Sequence, residues 1–101
     1  MSNHAVFAML VFEIHLPAAR SLKEKRKTVK SLVERLHKRF RVSVAETDHH
    51  DLHQRAEIGV AVVEGSPARL EMLLQELRRT VDLYQEASVL RWDVEYAEVG
   101  L

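Results

Sequence analysis

From Ala5 to Leu16 the chain alternates: Val6, Ala8, Leu10, Phe12, Ile14 and Leu16 fall on one face, the two-residue period of a half-buried strand. Pro17 has no amide hydrogen and ends the ladder. Ser21 and Glu24 form a capping box, in which the hydroxyl takes the Glu24 amide and the carboxylate reaches back, so a helix is predicted to start there. Leu22, Val29, Leu32, Val33, Leu36 and Phe40 then share one stripe at about 100° per residue, which lays a single helix face on a core.

Val42 and Val44 alternate with Ser43 and Ala45 in a short second strand, and the polar run Asp48-His49-His50-Asp51 reads as a hairpin loop. Ala56, Ile58, Val60 and Val62 make the inner face of a third strand. Gly65-Ser66-Pro67 is the punctuation of a strand-to-helix turn, with Ser66 as N-cap and Pro67 at the first helical position. Leu70, Leu73, Leu74, Leu77, Val81 and Tyr84 repeat at three and four along a second amphipathic helix. Leu90, Trp92, Val94 and Tyr96 alternate in a last strand. The order βαββαβ, without linker or repeat, predicts one α+β domain over residues 1–101. Its expected form is a ferredoxin-like sandwich, a four-stranded antiparallel sheet with both helices on one face and the other face open.

Composition narrows the chemistry. A chain of 101 residues, 47% hydrophobic and 30% charged, has the balance of a globular domain. Buried area at this size, roughly 60–70% of the unfolded surface, supports one core and no internal cofactor cavity. No cysteine is present, which excludes disulfides, thiol catalysis and cysteine-bound zinc. The most apolar run, Ala5 to Phe12, is far too short for a membrane span and lacks a signal peptide's flanks, so a cytoplasmic protein without membrane contact is expected. Charge is polarised although the total is zero: residues 20–41 hold ten basic and two acidic side chains, a net +8, and the remainder carries −8. Such a positive pole attracts anions.

Leu16-Pro17, the block Ala19-Arg20-Ser21-Leu22-Lys23-Glu24-Lys25-Arg26, Val42-Ser43-Val44-Ala45-Glu46, Asp51-Leu52-His53-Gln54-Arg55-Ala56 and Gly59-Val60-Ala61-Val62-Val63 together resemble the YlxP-like family of small bacterial domains, over most of the chain. The resemblance implies a ferredoxin-like sandwich and no particular activity, the family being known chiefly as a domain of unknown function. Its members are often encoded beside translation initiation and ribosome-maturation factors, an associational pointer to translation. The family commonly carries a Trp where this chain has His53.

Among candidate sites the first helix leads. Lys23, Lys27, Lys30 and Lys38 fall between about 80° and 160° around it, away from the apolar stripe, and a row of ammonium groups about a turn apart can follow the phosphates of RNA. Glu34, four residues from Lys30 and Lys38, would partly neutralise the row. Lys25 and Arg26 flank the stripe, and Arg26 is expected to pack its stem on the core edge and pair with a carboxylate.

The open sheet face should present Phe7, Met9, Val11, Glu13 and His15, with Glu57, Gly59, Ala61 and Val63 beside them. Its apolar centre, Phe7, Met9, Val11, Gly59, Ala61 and Val63, is a candidate homodimer interface, the small Gly59 and Ala61 allowing close approach. Base stacking there is disfavoured, with Phe7 as the sole aromatic and Asp93 and Glu95 nearby.

The loop Asp48 to His53 holds metal-type ligands, and His50 with His53 could chelate an ion if the turn curled. Without neighbouring acceptors to fix the imidazoles it reads as a polar hairpin tip, so no metal and no cofactor is expected. Ser21 and Ser66 are explained as caps, and Ser43 has no His–Asp pair beside it. Glu13 and His15 would lie on a flat, exposed surface that tunes neither pKa, so no catalytic residue is assigned and a non-enzyme is expected.

Overall fold

The computed structural model describes residues 4–100. Its elements are β1 (His4–His15), α1 (Leu22–Phe40), β2 (Ser43–Asp48), β3 (Arg55–Glu64), α2 (Pro67–Asp82) and β4 (Ser88–Gly100). The strands form one antiparallel sheet in the order β2-β3-β1-β4, the ferredoxin-like arrangement. β1 is central: it pairs with β3 from Val6↔Glu64 to His15↔Arg55 and with β4 from His4↔Gly100 to His15↔Ser88. Its unbroken apolar alternation fits that place, because a central strand needs no charge to guard an edge.

Local chemistry sets the helix ends. Ser21 Oγ accepts the Glu24 amide at 3.1 Å, satisfying one of α1's free donors, while Glu24 Oε2 reaches past the Ser21 amide expected of a capping box and accepts the Arg20 amide at 3.2 Å. α1 stops at Arg41, which turns left-handed at φ 53° and gives its amide to the His37 carbonyl at 3.0 Å. His37 Nδ1–H donates to the Val42 carbonyl at 2.8 Å and aims the chain into β2. Ser66 caps α2 through the Arg69 amide at 3.2 Å, with Pro67 in its first turn.

Both helices pack on one sheet face. Leu10, Phe12 and Ile14 of β1 and Ile58 and Val60 of β3 are fully buried against Leu32 and Leu36 of α1 and Leu77 of α2. Phe12 stacks on Trp92 with ring centroids 4.9 Å apart, and the Arg78 guanidinium lies 4.8 Å from the Trp92 ring. Arg39 ties the helices together, donating to Thr80 Oγ1 at 3.2 Å and meeting Glu76 at 3.6 Å.

β4 runs further than its expected alternation from Leu90 to Tyr96 announces, and a bulge corrects its start: Val89 faces Ile14 and packs on the core, while Leu90 is exposed. Past Tyr96 the pattern inverts, since Glu98 stands opposite Val6 and Val99 opposite Ala5, yet β1 still supplies backbone partners. As the last strand in the order, β4 leaves its outer edge without a neighbour in the sheet. No helix among the described residues is long and apolar enough to cross a membrane.

Candidate functional site

Lys23, Lys27, Lys30 and Lys38 all project from α1 into solvent. At 1.5 Å rise per residue they extend over about 22 Å, with Lys23, Lys27 and Lys30 within about 10 Å. None of the four forms an ion pair among the described residues, and Glu34 engages neither Lys30 nor Lys38. Lys27 also borders a groove of about 460 Å³ between α1 and the connection from α2 to β4. Thr28 and Ser31 share that wall, Tyr84 and Glu86 face them, and Leu16 and Ala19 close the bottom. The Arg35 guanidinium lies 5.2 Å from the Tyr84 ring at the same junction.

The cation that turns inward is Lys25, not Arg26. Arg26 is exposed and makes no ion pair among the described residues, which corrects the expectation placed on it. Lys25 is 0% exposed; its ammonium meets Glu46 Oε2 at 2.6 Å and donates to the His49 carbonyl at 2.8 Å. Counting about 100° per residue from Leu22 puts Lys25 near 300°, between Leu32 near 280° and Leu36 near 320°, whereas Arg26 lies near 40°. That position inside the stripe was the signal for its burial. Glu46 sits on the helix-facing side of β2, which the alternation of Val42 and Val44 continues to.

The open face divides into two halves. Phe7, Met9 and Val63 are 38%, 45% and 69% exposed, and the register sets Phe7 between Val63 and Ala97. Val11 is half-buried and Ala61 exposed. Gly59 is buried instead of open: a Cβ there would stand 2.9 Å from Thr47 Cγ2 and 3.7 Å from Met9 Cε. The space that glycine leaves is filled by the chain's own Thr47, so close approach of a partner is not its role.

The other half is ionic, and it overturns the flat, exposed setting expected for Glu13. Glu13 is 6% exposed because the β2–β3 turn folds over it: its Oε1 accepts from Arg55 Nη2, and His49 Nε2 lies 3.3 Å away. His15 takes no part in this cluster. His49 adopts a left-handed backbone, φ 63°, and its amide donates to Asp48 Oδ1 at 2.7 Å. Glu57 accepts from Thr47 Oγ1 at 2.8 Å and from Arg91 at 3.3 Å. Arg55, Thr47 and Arg91 escaped the sequence reading because only the strand register brings them beside Glu13 and Glu57.

Of the groups able to hold a metal, Asp48, His49 and Glu57 each offer a ligand atom within 4.8 Å of the others. This is a different set from His50 and His53; His50 Nε2–H instead donates to the Glu46 carbonyl at 3.3 Å. His49 is engaged by Glu13, Glu57 by Thr47 and Arg91, and Asp48 by the His49 amide, so the turn is held by its own contacts. Ser21 and Ser66 serve as caps.

The chain resembles the uncharacterized protein YlxP of Bacillus subtilis (strain 168), with 37% identity over 68 residues, 67% of this chain and 74% of that one. A solved structure similar to it is the de novo designed protein Foldit4, at a TM-score of 0.49 and 14% identity, covering 98% of this chain and 99% of the other. Residues 7–94 match the family described as "Protein of unknown function (DUF503)", a description that names no activity. With that match running from within β1 to within β4, and with the YlxP likeness beside it, the chain belongs to the DUF503 family of small YlxP-like domains.

Proposed function

We propose that the protein is a cytoplasmic, non-catalytic binding module whose α1 face docks on RNA or a ribonucleoprotein surface in translation. The observation that carries the reading is that Lys23, Lys27, Lys30 and Lys38 stand on one solvent face of a helix and are engaged by none of the domain's own carboxylates among the described residues. Their backbone positions are held in a row by a helix whose opposite face is locked in the core, so no backbone order has to be gained on binding. Each phosphate neutralised releases counterions, which gives affinity without sequence specificity. The test is binding of structured RNA and of ribosomal particles by the full chain at increasing salt. Changing Lys23, Lys27 and Lys30 to Glu abolishes binding in this reading; undiminished binding by that variant overturns it.

A second reading rests on the open face. Phe7, Met9 and Val63 expose an apolar patch that Ala97 extends across the neighbouring strand, with Glu95 at its margin opposite Met9. A second copy of the chain is the occupant that matches it, since an apolar patch is its own complement and the ionic half lies at the far end of the same strands. Met9→Asp then yields a monomer in light scattering; an unchanged mass for the variant removes the homodimer.

A further inference from the structure

The helix that bears the lysine row also walls the groove on its adjoining flank. Around α1, Lys23, Lys27 and Lys30 stand between about 80° and 140°, and Ser31, Thr28 and Arg35 between about 180° and 240°. Lys27 belongs to both, closing the row and lining the groove. Inside, the chemistry changes sign. Leu16 and Ala19 are buried and give an apolar floor, the Tyr84 ring stands at one side, and the carboxylates Glu24 and Glu86 line the walls. Glu24 Oε2 is used by the Arg20 amide, whereas Glu86 has no hydrogen bond or ion pair among the described residues.

A phosphate is repelled by this interior and attracted by the row beside it. A flat heterocycle with N–H donors matches the interior: its faces meet apolar carbon, its donors meet Glu86 and the hydroxyls of Thr28 and Ser31. A volume near 460 Å³ lies within the roughly 300–1,000 Å³ of small-molecule sites. We infer that the groove receives a nucleobase carrying an exocyclic amino group, from a single strand whose phosphates lie on Lys23, Lys27 and Lys30. This deepens the RNA reading and rests on it. The row gives affinity for any polyanion; the groove gives preference among bases, because a site with a carboxylate acceptor disfavours a base edge that presents only a carbonyl there.

The experiment uses the full chain and three probes in low salt: inorganic polyphosphate, oligocytidylate and oligouridylate, the two pyrimidines differing by an amino group against a carbonyl. Oligocytidylate is expected to bind about tenfold more tightly than oligouridylate, the effect of one charge-assisted hydrogen bond. Ser31→Leu, which obstructs the groove without adding a ring, removes the preference and leaves polyphosphate affinity unchanged. Glu86→Lys also removes the preference, yet raises polyphosphate affinity by adding a cation. Equal binding of the two oligonucleotides by the unaltered chain, or a preference that survives both substitutions, overturns the groove assignment while polyphosphate binding keeps the lysine row. Failure to bind any of the three probes removes both.

Discussion

The Lys25 ammonium lies 2.6 Å from the Glu46 carboxylate and is sealed from solvent, so the first turn of α1 is joined to the edge strand β2 by a buried ion pair. The pair is completed by the His49 carbonyl, 2.8 Å from the same nitrogen. Lys25→Ala leaves the Glu46 carboxylate and that carbonyl without their donor and is expected to cost about 3 kcal/mol in urea unfolding. Lys25→Met combined with Glu46→Leu removes both charges and fills the space, and is expected to recover most of the loss.

The Glu13 carboxylate anchors the β2–β3 turn through Arg55 and His49. Both partners reach water, so Glu13→Ala is expected to cost only about 1–2 kcal/mol. The change is concentrated locally: amide exchange should accelerate at Leu52, bonded to the His49 carbonyl at 3.0 Å, and at Leu16, bonded to the Gln54 carbonyl at 2.8 Å. Exchange in α2 is expected to stay as it was.

Gly59→Ala places a methyl group 2.9 Å from Thr47 Cγ2, and a β-branched side chain hydrogen-bonded to Glu57 does not swing away freely. A loss of about 1 kcal/mol is expected in thermal unfolding, despite the usual gain from restricting the unfolded chain. Thr47→Ser in the same background removes the obstructing methyl, keeps the hydroxyl and restores stability.

Tyr96 donates its hydroxyl to Glu71 Oε2 at 3.3 Å, and partial burial, followed by the Glu71 charge and this hydrogen bond, raises the phenol above its ordinary 10.0. The folded state therefore holds that proton more tightly than the unfolded state. Whatever stability this group contributes is complete below pH 10.0 and declines as pH rises through the folded-state value. Ultraviolet titration in a Tyr84→Phe background should show Tyr96 ionising above the ordinary value, and Glu71→Gln should bring it down.

Three lysines engaging a single strand predict a salt slope near −2 in log–log form, from about −0.7 per phosphate. Lys38→Ala is expected to leave the slope for a short oligonucleotide unchanged, as Lys38 lies about 12 Å beyond Lys30 along the axis. A longer strand should show a slope steeper by about 0.7 when Lys38 is present, measured by fluorescence anisotropy.

Much of the architecture was legible in the chain. The period of two from Val6 to Leu16 and the Ser21–Glu24 box give β1 and the start of α1, and Ser66-Pro67 gives the start of α2. The exposed lysines follow from helical angle alone. Lys25 was legible by the same count, but a charged residue inside an apolar stripe is easily assigned to its margin, because only a facing carboxylate makes burial tolerable and Glu46 lies on another strand. The Glu13 cluster was not legible: Arg55 and His49 reach it through register and a left-handed turn, neither of which local periodicity encodes. Gly59 reads as an opening until the bulge between Glu46 and Asp48 turns Thr47 over it.

The free margin of β4 has a consequence for association between copies. About every second of the thirteen residues of β4 turns its N–H and C=O outward there, and Asp93, Glu95 and Glu98, with Arg91, are the charges that discourage another strand from annealing to them. Replacing those three carboxylates with apolar side chains should therefore set off edge-to-edge ribbon growth between copies whose own fold is unchanged.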